Sequence, residues 1–210
     1  MELTAEEKIL NKFGANIKDT ETEVFDSKYI AIYNELKKHY KISQAMKAGS
    51  LSKGTKIEFY GDLDLTFTVD KPEIKDADEF RKDLERKMKV SFPKDEVKLQ
   101  KVSCLIKFKN SIKIDVVYLP LIEYNKNKDQ IKHIKSVNNN IKNIIRLVKW
   151  WNYKYNKKKF KSYKIEFHAI YSSASIYSKR IKDTIHKSGG GNKTNDIFDV
   201  IKEDAKSGKK

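Results

Sequence analysis

Two aspartates stand two apart in the segment Gly-Asp-Leu-Asp-Leu, residues 61–65: Asp62 and Asp64. The run from Lys56 to Val69 alternates apolar and polar side chains, with Ile57, Phe59, Leu63, Leu65, Phe67 and Val69 on one parity. A period of two is the mark of a strand, so both carboxylates face one side while Leu63 and Leu65 face a core. Two like charges this close repel, and a divalent cation removes the repulsion. Magnesium takes hard oxygen ligands and keeps positions for water or substrate phosphates. A third acid, Asp115, interrupts the β-branched run Ile-Lys-Ile-Asp-Val-Val, residues 112–117. A carboxylate in mid-strand destabilises unless it is exposed or coordinated. Placed on a strand beside the first pair, it completes a site that can hold two metal ions. Upstream lies Gly-Ser-Leu-Ser-Lys-Gly-Thr, residues 49–55. Its glycines let backbone approach a phosphate, and its hydroxyls supply donors. It is no Walker loop, because no Gly-Lys-Ser/Thr follows at the required spacing.

The elements that must position these residues follow from pattern. Thr4 with Glu7 forms a capping box for a short helix to Phe13. A second helix is predicted from a cap at Ser27 to Tyr40, with Tyr29, Ile32, Tyr33 and Leu36 on one face. Strands are predicted over 42–48, 56–69, 97–108 and 111–119, the last two joined by a hairpin near Lys109-Asn110. Helices are predicted over 78–90, 138–155 and 162–181. Ser188 onward, beginning Ser-Gly-Gly-Gly and ending in lysines, has the composition of a flexible basic tail, with one short amphipathic turn around Ile197 to Ile201. The order is that of an α+β fold: a mixed sheet, then helices. The predicted division is residues 1–125 as core, 126–187 as a helical part and 188–210 as tail.

Charge narrows the partners. Lys+Arg number 45 against 29 Asp+Glu, a formal net charge of +16. Such a field attracts phosphate-bearing ligands: nucleotides, nucleic acid or an anionic surface. A lysine-rich strip at 154–161, interleaved with Tyr153, Tyr155 and Phe160, could track a phosphate backbone and stack bases. The single cysteine, Cys104, excludes a disulfide framework and fits a small buried hydrophobe in a cytoplasmic protein. No stretch reaches the apolar length of a membrane span, and the amino terminus lacks a secretory pattern. The four histidines are too scattered to suggest zinc.

The order Gly49-Ser50, Gly54-Thr55, Asp62-Leu63-Asp64 and Asp115 resembles the signature of polymerase β-type nucleotidyltransferases, with a Ser50-to-Asp62 gap similar to that of archaeal CCA-adding enzymes. A second block, Ile144 to Trp151 followed by Lys161-Ser162-Tyr163-Lys164-Ile165-Glu166, is similar to the helical part of oligoadenylate synthases, cyclic GMP-AMP synthase and bacterial cyclic-oligonucleotide synthases. The resemblance implies a polymerase β-like palm whose helical part is truncated but completes the nucleotide cleft. It implies transfer of a nucleoside monophosphate from an NTP, ATP included, to a hydroxyl, releasing pyrophosphate. The acceptor stays open among an RNA 3′ end, a second nucleotide and a protein, with RNA as acceptor or activator. Asp62, Asp64 and Asp115 would be catalytic and would hold two Mg2+ ions, replaceable by Mn2+. Gly49, Ser50, Thr55, Lys149, Ser162 and Tyr163 would bind the nucleotide: Ser50, Lys149 and Ser162 on the triphosphate, Tyr163 stacked on the base. The competing reading is a catalytically degenerate RNA-binding protein on the same scaffold. The intact acid triad argues against it.

Overall fold

The structure is a computed structural model that describes residues 2–17, 23–57, 63–70, 72, 74, 76–110, 112–157 and 159–208, with the backbone alone of Glu23 and Val24. In chain order the elements are α1 (Ala5–Asn16), α2 (Glu23–His39), β1 (Ile42–Ala48), α3 (Gly49–Lys53), β2 (Leu63–Val69), α4 (Ala77–Ser91), β3 (Glu96–Leu99), β4 (Cys104–Lys107) and β5 (Lys113–Tyr118). Five α-helices follow among the described residues: α5 (Leu121–Ser136), α6 (Asn139–Lys154), α7 (Ser162–Ile170), α8 (Tyr177–Ile185) and α9 (Thr194–Ser207). The chain forms two compact units. One comprises Thr20–Lys53 and Gly61–Lys135, and the other Met1–Asp19, Gly54–Tyr60 and Ser136–Lys210. No helix among the described residues is long and apolar enough to cross a membrane.

The first unit is a five-stranded mixed sheet with order β1-β2-β5-β4-β3. β2 and β5 run parallel at its centre, while β1, β4 and β3 add antiparallel pairs outward. The alternation on β2 places Leu63, Leu65 and Phe67 in the core, each fully buried, with Ile114 and Val116 of β5 beside them. α2 adds Ile32 and Leu36, and α4 adds Phe80, Leu84 and Met88, spaced four apart to make one apolar face. Burying each such side chain stabilises by about 1.5–3 kcal/mol. α4 begins where Asp76 accepts hydrogen bonds from the Asp78 and Glu79 amides, satisfying two of the first-turn donors.

Three sequence expectations shift here. Ser27 lies inside α2 rather than capping it. The run 97–108 is a hairpin in its own right, β3 paired antiparallel with β4 across residues 100–103. Of the strand expected over 56–69, β2 takes 63–69, Ile57 is buried in the core of the helical unit, and residues 58–62, Asp62 included, lie outside the described residues.

The second unit is helical. α1 carries the expected capping box: Thr4 Oγ1 accepts from the Glu7 amide at 3.3 Å, and Glu7 Oε2 accepts from the Thr4 amide at 3.1 Å. α6 is more than an amphipathic stripe, because every residue from Asn143 to Asn152 is buried. It packs against Leu10 and Phe13 of α1, Ile165 and Ala169 of α7, Ile181 and Ile185 of α8, and Phe198 and Ile201 of α9. The helix expected over 162–181 is two helices, α7 and α8, separated by residues 171–176.

Residues 188–208 are not a flexible tail. α9 buries Ile197, Phe198 and Ile201 in the core of this unit. The glycine run turns the chain between α8 and α9. Gly189 has φ +132, and a Cβ on Gly190 would meet the Ile185 carbonyl oxygen at 2.8 Å. These glycines are required by a left-handed backbone and a close approach rather than by looseness. α1 joins this unit and not the sheet, which moves the division away from a single cut near residue 125.

Candidate active site

On the sheet, Asp64 of β2 and Asp115 of β5 are register partners across the central parallel pair. Register partners point to the same face, so the two carboxylates stand side by side while Leu63, Leu65, Ile114 and Val116 turn to the other face and the core. Thr66, two residues on from Asp64, is buried on the aspartate face. The aspartates themselves are half-buried. β1 lies on the other side of β2, with Ala48 opposite Asp64. The strand ends there because Gly49 adopts φ +70 and starts α3. A Cβ on Gly49 would sit 1.8 Å from Asp64 Oδ2. Only glycine therefore brings this backbone against the carboxylate. Ser50 follows it in the first turn of α3, half-buried.

Asp115 has a partner that no motif announced. Ser103, 3% exposed, donates its hydroxyl to Asp115 Oδ1 at 2.8 Å. Ser103 precedes β4, which pairs antiparallel with β5, so the hairpin delivers the hydroxyl. In the sequence it falls inside the run predicted as one strand over 97–108, with nothing to mark it. Cys104 is fully buried next to it, and its thiol is pushed up to about 12 by burial and by the nearby Glu85 and Asp115 carboxylates. The thiol is thus a neutral, inert packing group.

Asp62 lies outside the described residues. Among the described residues no group of three or more His, Cys, Asp or Glu is placed to hold a metal ion. The described pair alone supplies two hard-oxygen groups on one face, a donor set suited to a divalent cation that keeps other positions for substrate.

The helical unit treats its expected site residues differently. Thr55 and Lys149 are buried together, at 0% and 2% exposure. Lys149 Nζ lies 2.7 Å from Glu166 Oε1 and 3.2 Å from Thr55 Oγ1, and Thr55 donates to the same carboxylate oxygen at 3.1 Å. The ammonium faces a buried carboxylate within its own unit, forming an internal ion pair. Glu166 was visible in the sequence as an acid at an apolar position of α7, but nothing there paired it with Lys149. Arg146, one turn before Lys149, is also buried and donates to the Gly54 carbonyl and to Asn143 Oδ1. It ties the Gly-Thr segment to α6. Ser162 opens α7 half-buried, and Tyr163 is 59% exposed.

The strip at 154–161 is mixed where it is described: Lys157, Lys159 and Lys161 are exposed, while other members pack into the unit. Phe160 is in the core, Tyr155 donates to Asp204 at 2.6 Å, and Lys154 lies 3.7 Å from the same carboxylate and 4.6 Å above the Trp150 ring. Lys158 lies outside the described residues.

No protein-family model matches the sequence, and no curated protein matches it significantly. The fold does match solved structures. CdnG of Bradyrhizobium diazoefficiens, a CD-NTase solved with GTP, superposes with a TM-score of 0.67 at 10% identity, over 98% of this chain and 92% of that one. CdnC of E. coli MS115-1, solved with ATP, gives 0.61 at 17% identity over 85% and 70%. The Cid1 poly(U) polymerase gives 0.57 at 16% identity over 78% of this chain and 53% of that one. The chain thus shares the fold of these CD-NTases and of Cid1, α+β with a mixed sheet and helices packed on it.

Proposed function

We propose that this chain is a divalent-metal-dependent nucleotidyltransferase that moves a nucleoside monophosphate from an NTP to a hydroxyl acceptor. The observation that carries the reading is the in-register pair Asp64 and Asp115 on parallel strands, with Gly49 closed against Asp64, in a chain of this fold. The neighbours named for GTP, ATP and poly(U) support an NTP as donor.

Asp64 and Asp115, with Asp62, would hold Mg2+ or Mn2+. When bound, the cation supplies charge to the triphosphate and acidity to the acceptor hydroxyl. The chain's own groups do the positioning. Asp115 is the base for the acceptor proton, and Ser103 fixes its carboxylate. Gly49 and Ser50 bring backbone and hydroxyl donors to the terminal phosphates. The acceptor oxygen bonds to the α-phosphorus, the bond from that phosphorus to the bridging oxygen breaks, and pyrophosphate carries the electron pair away. On the helical unit the proposal gives Ser162 a phosphate contact and Tyr163 a stacking role. Thr55 and Lys149 act indirectly, through the buried Glu166 pair. An RNA 3′ end is the acceptor most in keeping with the net charge of +16.

The test is label transfer. The full chain is incubated with each of the four α-labelled NTPs, Mg2+ or Mn2+, and total RNA. We expect label in a product, strictly dependent on the metal, with RNA the main recipient. Absence of transfer from all four NTPs with either metal would overturn the reading.

A further inference from the structure

A cavity of about 540 Å³ opens at the margin of the sheet unit, between residues 44–47 of β1 and one face of α5. Among the described residues β1 is an edge strand of the sheet. Four lysines line the space: Lys47 from β1, and Lys128, Lys132 and Lys135 from α5. The helix lysines recur at intervals of four and three, which puts them on one face of α5. Tyr124 and Ile131, both buried, give that face an apolar floor. Lys47 is held in place, its ammonium 2.5 Å from Asp26 Oδ1 and 5.4 Å from the Tyr29 ring centre. Lys128 and Lys132 are exposed, and among the described residues no carboxylate pairs with either. Like charges four apart on a helix destabilise it, so folding does not explain their convergence. The cavity is within the usual size range of a ligand site, roughly 300–1,000 Å³.

We propose that this cavity is a phosphate-binding site, for a run of phosphates in a free nucleotide polyphosphate or in a nucleic-acid strand. Clustered ammonium groups recognise such phosphates as point charges. Its lining contains none of the residues proposed for chemistry, and it stands independently of the transferase reading.

The probes are inorganic tripolyphosphate, followed by calorimetry, and a labelled single-stranded RNA, followed by anisotropy, both with the full chain and without metal. The variants are K128E/K132E and the milder K128Q/K132Q. The control K179E/K193E makes the same charge change at exposed lysines of the helical unit. The pocket variants should lose on the order of tenfold more affinity than the control. For RNA the log–log salt slope should shrink by about 1.4, at roughly 0.7 per lost phosphate contact. Loss for both probes identifies a free polyphosphate as sufficient, and loss for RNA alone identifies a strand; either supports the site. Equal losses in pocket and control variants, or no saturable binding of either probe by the unaltered chain, would overturn it.

Discussion

Asp64→Asn and Asp115→Asn should each reduce metal-dependent label transfer by about 10³-fold or more, because metal charge stabilisation is worth several kcal/mol and each 1.36 kcal/mol is tenfold. The substitution keeps shape and removes charge. In the Asp115 variant the amide oxygen can still accept from Ser103, so the hairpin contact seen at 2.8 Å survives. The double variant should be little worse than either single one, since groups that act as a unit are not additive. Stability should stay level or rise in the absence of metal, because two neighbouring like charges are relieved. Activity and chemical unfolding are measured on the same preparations. A variant that is stable and fully active would remove the aspartates from the reaction.

Lys149→Met should destabilise the chain by about 3–5 kcal/mol, the usual loss when one partner of a buried ion pair is removed. Lys149 and Glu166 have side-chain exposures of 3% and 4%, so Glu166 would lose a buried counter-charge, with the Thr55 hydroxyl still donating to it. Replacing both, as Lys149→Met with Glu166→Leu, should recover most of the loss, because an apolar pair of similar volume is often neutral. Urea unfolding of the two variants and the parent decides this. A direct triphosphate contact predicts the opposite pattern: a stable Lys149→Met protein with a raised KM for NTP.

The aspartate pair and Lys149 differ in how much of each was legible in the sequence. The strands carrying Asp64 and Asp115 were legible because alternation has one period and the acids broke it at readable places. Their register was not legible, since pairing is made by the turn geometry of two other strands. Ser103 was invisible for that reason: β4 delivers it, and the sequence merges β3 and β4 into one run. Lys149 and Thr55 were matched by motif, but a motif does not say which way a side chain turns. Burial of all of α6 from Asn143 to Asn152 decides that, and it follows from helices that pack on both its sides. The glycines after Ser188 misled by composition. A run of glycines reads as a linker until a φ of +132 and a contact with Ile185 show that it makes a tight reversal.

The most direct measurement is the position of Mn2+ in crystals of the chain grown with a non-hydrolysable NTP, located by anomalous scattering. The expected result is a manganese ion bound by carboxylate oxygens of both Asp64 and Asp115, with triphosphate oxygens completing its shell. Manganese and triphosphate bound at a site that shares neither aspartate would contradict it.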